Sequence, residues 1–202
     1  MPITEECRLA CQEFDEENEA CEFVFGQLFE KYPLNTHKEH VRVKALTLNT
    51  LYNAGVIAIE VMARHIVTLQ GLDDQMRDGA PEAVHRIATL TIGEKSFWFL
   101  SFASKYCSWQ NPASYPIFDS NVAAYLWDHQ KQDGIPHFFK QDLWDYLKFV
   151  EIVRAFRAAS GMDDVRFKEF DKYMYLKGGE LIALGRAEAI SSLDPPERGI
   201  TV

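Results

Sequence analysis

Apolar side chains recur at three- and four-residue intervals along most of the chain, the spacing of helices that lay one face on a core. The first such stripe is Cys7, Cys11, Phe14, Cys21, Phe25 and Leu28. Thr4 stands where a cap belongs, and Pro33 in "YPLN" ends the run, because proline lacks the N–H that a helix interior uses. Val41, Val43, Leu46, Leu48 and Leu51 mark a second helix over 37–53, with "NAG" as the turn behind it. A third spans 56–70 and closes at Gly71. "GLDDQMRDGAP" is polar enough for one short helix at most.

Pro81 suits the first position of a helix over 81–90. "TIGE" interrupts, and the aromatic run that follows predicts a helix over 95–109. After the loop "QNPASYPIF", Asp119 or Ser120 caps "NVAAYLWDHQ". "KQDGIPHFF" is a connector, helices cover 141–160 and 166–184, and "SSLDPPERGITV" over 191–202 is a frayed, flexible tail. Strand-like alternation never lasts long enough to build a sheet. The expected fold class is therefore all-α: a single compact unit over 1–190, or two helical lobes made of 1–35 with 130–190 and of 36–129.

Composition narrows the function classes. With 202 residues, 47% hydrophobic and 25% charged, the chain can bury a core. Its net charge of -9 provides no global field for nucleic acid, so any such binding needs a local basic patch drawn from His85, Arg86, Lys95 and Lys105. No run of about 18 apolar residues exists to span a membrane. The acidic opening "MPITEECRLACQEFDEENEAC" lacks a basic-then-apolar leader layout, so the expected location is cytoplasmic. Cys7, Cys11 and Cys21 lack the C-x-x-C pairing of a zinc site. They are expected to be buried free thiols, with no metal and no cofactor. His37 and His40 are three apart on a helix, but no further ligand is near.

One region suggests chemistry. Lys95 opens the expected 95–109 helix beside Phe97, Trp98 and Phe99, where helix dipole and desolvation would both disfavour the ammonium. That is what a nucleophilic amine needs. The helix would span roughly 21 Å. The ten-residue return, extended to about 30 Å, can bring Asp119 level with Lys95. Lys105 is ten residues further on, about 80° off the shared face, so one site cannot easily use both lysines.

The order "PEAVHRIATLTIGEKSFWFLSFASKY" followed by "NPASYPIFDSNV" resembles the helix-hairpin-helix DNA glycosylase superfamily, more closely its 8-oxoguanine DNA glycosylase-like branch. Gly93 and Lys95 match the family's glycine-x-lysine step, and Asp119 in "YPIFD" matches its aspartate. "FKEFDKYMYLKGGEL" carries a weaker likeness. Lys105, 14 residues before Asp119, keeps a second register open. The resemblance implies a partner, DNA with a damaged base, and a reaction in which lysine attacks the sugar while aspartate assists. A lyase step through the Schiff base could follow. It implies phosphate contacts from the hairpin at Ile92, Gly93 and Glu94, and a flipped base among Trp98, Phe102, Tyr106 and Trp109. A non-catalytic helical binding or regulatory module on the same scaffold is the competing class. Capping alone accounts for Asp119, and core packing for the aromatic run.

Overall fold

A computed structural model of the chain describes residues 3–186. The expected tail at 191–202 lies outside them. Among the described residues the fold is mostly helical: α1 (Ile3–Lys31), α2 (Lys38–Tyr52), α3 (Ile59–Thr68), α4 (Leu72–Asp78), α5 (Glu82–Ala88), β1 (Thr89–Ile92), β2 (Lys95–Trp98), α6 (Leu100–Gln110), α7 (Ser120–Asp128), α8 (Tyr146–Ala159) and α9 (Phe167–Ala183). A 3-10 turn, Lys140–Trp144, precedes α8. No described helix is long and apolar enough to cross a membrane.

The chain divides into two compact units, with boundaries after Asn18 and after Tyr115. Helix α1 runs through the first boundary and kinks there. Asn18 leaves helical geometry (φ -117, ψ 15), and its Nδ2 donates to Phe14 O at 2.9 Å. An asparagine side chain that bonds the carbonyl four residues back competes with the backbone ladder and bends the helix.

The first unit holds residues 3–18 and 116–186 of the described chain. Its core is aromatic: Phe118, Tyr146, Phe149, Phe156 and Phe170 are all buried. Burying each such ring contributes about 1.5–3 kcal/mol of hydrophobic stabilisation. Helix α7 packs on α9 at close range. A Cβ placed on Gly178 would sit 1.9 Å from Asn121 O, so glycine is what permits the contact. The expected 141–160 helix is broken: Asp145 is extended (φ -93, ψ 111) and caps α8 by accepting the Leu147 N–H at 3.1 Å.

The second unit holds 19–115. Here α2 packs on α3 and α6, and α5 on α6. Helix α3 starts three residues later than the pattern suggested. The Asn49 side chain holds the Val56 backbone in the preceding loop, its Oδ1 accepting from Val56 N at 2.8 Å and its Nδ2 donating to Val56 O at 3.1 Å. The largest departure lies between α5 and α6. Residues 89–98 form an antiparallel hairpin in which Ile92 pairs with Lys95 and Thr89 with Trp98. Gly93 (φ 63) followed by Glu94 at negative φ makes the two-residue turn that matches strand twist. Thr89, Thr91, Ile92, Phe97 and Trp98 are β-branched or aromatic, and they prefer a pleated surface.

The cysteines also differ from expectation. Cys7 and Cys107 are buried, but Cys11 and Cys21 are half-buried at the edge of the apolar stripe; all four are free thiols.

Candidate functional site

In the second unit the hairpin redraws the lysine geometry. Lys95 does not begin a helix: it is the first residue of β2 and is exposed. Helix α6 starts at Leu100, five residues later. Lys95 therefore has neither the helix dipole nor the aromatic burial on which the sequence argument for a nucleophile rested. Gly93 and Glu94 are the exposed tip of a β-turn, and Ile92 is half-buried. The helix N-terminus expected to hold phosphate is absent at that tip.

Lys105 lies within α6 and is only 5% exposed. Its Nζ donates to Ser101 Oγ at 2.9 Å, one turn back on the same helix, and stands 5.3 Å from the centre of the Tyr52 ring. Arg86, expected in a basic patch, reaches Gln75 Oε1 and Gln70 O. The four aromatic candidates do not gather around one opening. Phe102 and Tyr106 are fully buried in the core. Trp109 stacks on Phe25 at 4.9 Å and donates to the Tyr52 hydroxyl at 3.1 Å. Trp98 is half-buried against the His85 ring at 5.2 Å.

Sequence reasoning passed over Lys44. It is fully buried in α2, and Nζ donates to Tyr32 O (3.0 Å), Asn35 Oδ1 (2.7 Å) and Gln110 Oε1 (3.3 Å). Asn35 in turn donates to Asp73 Oδ1 at 2.6 Å and accepts from Tyr106 Oη at 2.6 Å. Burial pushes the Lys44 ammonium down to about 8, with the Asp73 charge opposing. The signal was present: Val41, Lys44, Ala45 and Leu48 form one i, i+3, i+4, i+7 stripe, and all four are buried. With its donors occupied by oxygens, Lys44 ties the turn after α1 to α2 and α6.

In the first unit, Asp119 caps α7, accepting the Asn121 N–H at 3.0 Å from an extended backbone (φ -142, ψ 156). The segment leading to it is clamped twice. Tyr146 Oη donates to Pro116 O at 2.8 Å, and Asp171 Oδ2 accepts the Ile117 N–H at 2.8 Å. Asp171 is 4% exposed, and its Oδ1 has no hydrogen-bond partner among the described residues. Burial drives this carboxyl well above the usual carboxylate range. The Ile117 N–H and the Arg157 charge oppose the rise, and the Asp119 charge adds to it. Burial also raises the Tyr175 phenol, with Asp119 contributing. A buried carboxyl within electrostatic reach of a second carboxyl is an arrangement that can store or deliver a proton. Asp171 sits on the apolar stripe Phe167, Phe170, Asp171, Met174 and Gly178, and that position is what could have exposed it from sequence. Among the described residues no cluster of three or more His, Cys, Asp or Glu is placed to hold a metal.

Against known proteins, the chain matches the profile of the family HI_0787_N, described as an N-terminal domain, over residues 6–114. That span ends one residue short of Tyr115, where the second unit closes. An uncharacterised protein of Haemophilus influenzae is 37% identical over 133 residues, covering 66% of this chain and 63% of the relative. The match thus spans less than two thirds of that relative's length. No solved structure matches the chain.

Proposed function

The chain belongs to the HI_0787_N family, and from the buried amine in its second unit we propose that it is a DNA glycosylase using Lys105 as nucleophile. The observation that carries this reading is the placement of Lys105 Nζ, 5% exposed, between a serine hydroxyl and the face of Tyr52. The reaction needs an amine nucleophile, and this is the buried lysine that the glycosylase-like register offers. Nζ attacks the sugar's anomeric carbon as the bond to the damaged base breaks, and the base leaves with a proton. Loss of a proton from nitrogen and opening of the sugar ring give a Schiff base.

A second reading, a non-catalytic helical binding module, is favoured by two observations. The net charge is -9, and the lysine of the glycine-x-lysine step lies exposed on a β-hairpin. Borohydride trapping on duplexes carrying single oxidised, alkylated or deaminated bases separates the two. The glycosylase reading expects a covalent protein–DNA adduct that survives Lys95→Ala and disappears in Lys105→Ala, with circular dichroism confirming that the variant is folded. An adduct lost only in Lys95→Ala would move the nucleophile to the hairpin. Absence of both adduct and free base across the whole set of lesions establishes the module.

A further inference from the structure

The helix that begins the first unit carries a feature that the glycosylase reading does not use. Cys7 and Cys11 lie one turn apart in α1, and both sulfurs face the same backbone oxygen of α9. Cys7 Sγ is 3.8 Å and Cys11 Sγ 3.4 Å from Glu169 O. Around them, Lys172 pairs with Asp15 and lies over the Phe14 ring at 5.3 Å. Arg166 binds Glu169.

We infer that Cys7 and Cys11 form a peroxide-reactive dithiol, in which Cys11 is the attacking sulfur and Cys7 the resolving one. The roles follow from position. Cys11 is half-buried, so a small oxidant can reach it, whereas Cys7 is 2% exposed. The neighbouring Cys7 thiol, then the Lys172 charge, lower Cys11 against the opposing burial and the Glu169 and Asp15 charges. The neighbouring Cys11 thiol, followed by burial, raises Cys7. Reactivity belongs to the thiolate, so the first oxidation falls on Cys11.

In the first step the Cys11 thiolate attacks one oxygen of a hydroperoxide. An S–O bond forms, the O–O bond breaks, and the departing oxygen takes a proton to leave as water or an alcohol. In the second, Cys7 sulfur attacks the Cys11 sulfenic sulfur, the S–O bond breaks, and hydroxide leaves with the Cys7 proton as water. Two thiols lose two electrons and the peroxide gains them. Positions i and i+4 of an ideal helix have Cα atoms about 6.2 Å apart, inside the range that a disulfide can bridge but towards its long end. The bond is therefore strained and easily reduced, as in labile regulatory disulfides.

The test uses the full chain and hydrogen peroxide, followed by alkylation of the remaining thiols, digestion after Arg8, and mass spectrometry. Arg8 lies between the two cysteines, so a Cys7–Cys11 bond leaves two peptides joined, two hydrogens lighter than their sum and separated by mild reductant. Cys21, half-buried on the same helix, is the internal comparison and should oxidise at least several-fold more slowly. Cys7→Ser should leave a dimedone-reactive sulfenic acid on Cys11. Cys11→Ser should leave none on Cys7, and Lys172→Met should slow the first step several-fold. Failure of wild-type protein to yield the joined peptides overturns the proposal. So does equal oxidation of Cys21, or a sulfenic acid that appears on Cys7 instead of Cys11.

Discussion

Asp171 in α9 and Ile117 in the segment before α7 are joined by a 2.8 Å hydrogen bond from backbone N–H to a buried carboxyl. Ile117 is two residues before Asp119, so a side chain 52 positions further along the sequence than Asp119 sets the path of the backbone that delivers it. The bond stands in a 4%-exposed site, where an unsatisfied N–H is costly. Asp171→Ala should therefore destabilise the protein by about 1–3 kcal/mol in urea denaturation. Asp171→Asn keeps an acceptor for Ile117 and should avoid most of that loss.

The same residue predicts a pH dependence. Its folded-state pKa is raised well above the ordinary carboxylate value, mainly by burial. The folded form then holds a proton that the unfolded form has released. This contribution to stability is complete below about pH 4 and is lost as pH rises towards the folded value. Asp171→Asn should gain on wild type as pH rises above about 4. Parallel stability curves for the two proteins would contradict this.

Lys44 works in the opposite direction at the alkaline end. Burial lowers its pKa to about 8, so the unfolded chain holds the lysine proton more tightly than the folded one. The buried charge lowers stability below pH 8, and that penalty fades as pH rises towards the unfolded lysine value. The gain is on the order of 3 kcal/mol. The wild-type minus Lys44→Met difference in unfolding free energy, measured from pH 7.5 to 10, should climb with pH. A flat difference would show that the Lys44 amine is not desolvated as described.

Gly178→Ala sets propensity against packing. Alanine in mid-helix is favoured over glycine by about 1 kcal/mol. At this position its Cβ would meet Asn121 O at 1.9 Å, and α7 would have to move off α9. Overpacking costs about 1–3 kcal/mol, and with a backbone atom as the obstacle the upper end is expected. The melting temperature should fall by several degrees. Any rise would mean that the two helices can separate freely.

Asp119 can be tested as a cap independently of chemistry. Asp119→Asn preserves an acceptor for the Asn121 N–H and should change stability by less than about 0.5 kcal/mol, whereas Asp119→Ala should cost about 1 kcal/mol. Chemical denaturation of the two variants checks this. If base release is seen with wild type, its loss in the stable Asn variant isolates the carboxylate's chemical part from its structural one.

Periodicity and punctuation alone determined most of the helices and the Asp119 cap, because those signals act within a few residues of themselves. The 3.6-residue stripes, Gly71 and the proline at 81 needed no partner to be legible. The hairpin at 89–98 was misread as helix on both sides of Gly93. Four-residue strands are too short to show a period, and apolar runs of that length fit either structure. That single misreading moved Lys95 from a helix start to an exposed strand. Lys44 and Asp171 were visible as charged residues on apolar stripes, but their partners are remote: Gln110 is 66 positions from Lys44, and Ile117 is 54 from Asp171. Whether a buried charge is paired, neutralised or unsatisfied depends on oxygens and N–H groups brought from distant segments. Gly178 likewise reads as a helix weakness until α7 is laid against it. Burial, and with it every shifted pKa described above, is a property of three-dimensional neighbours, so tertiary structure alone decided it.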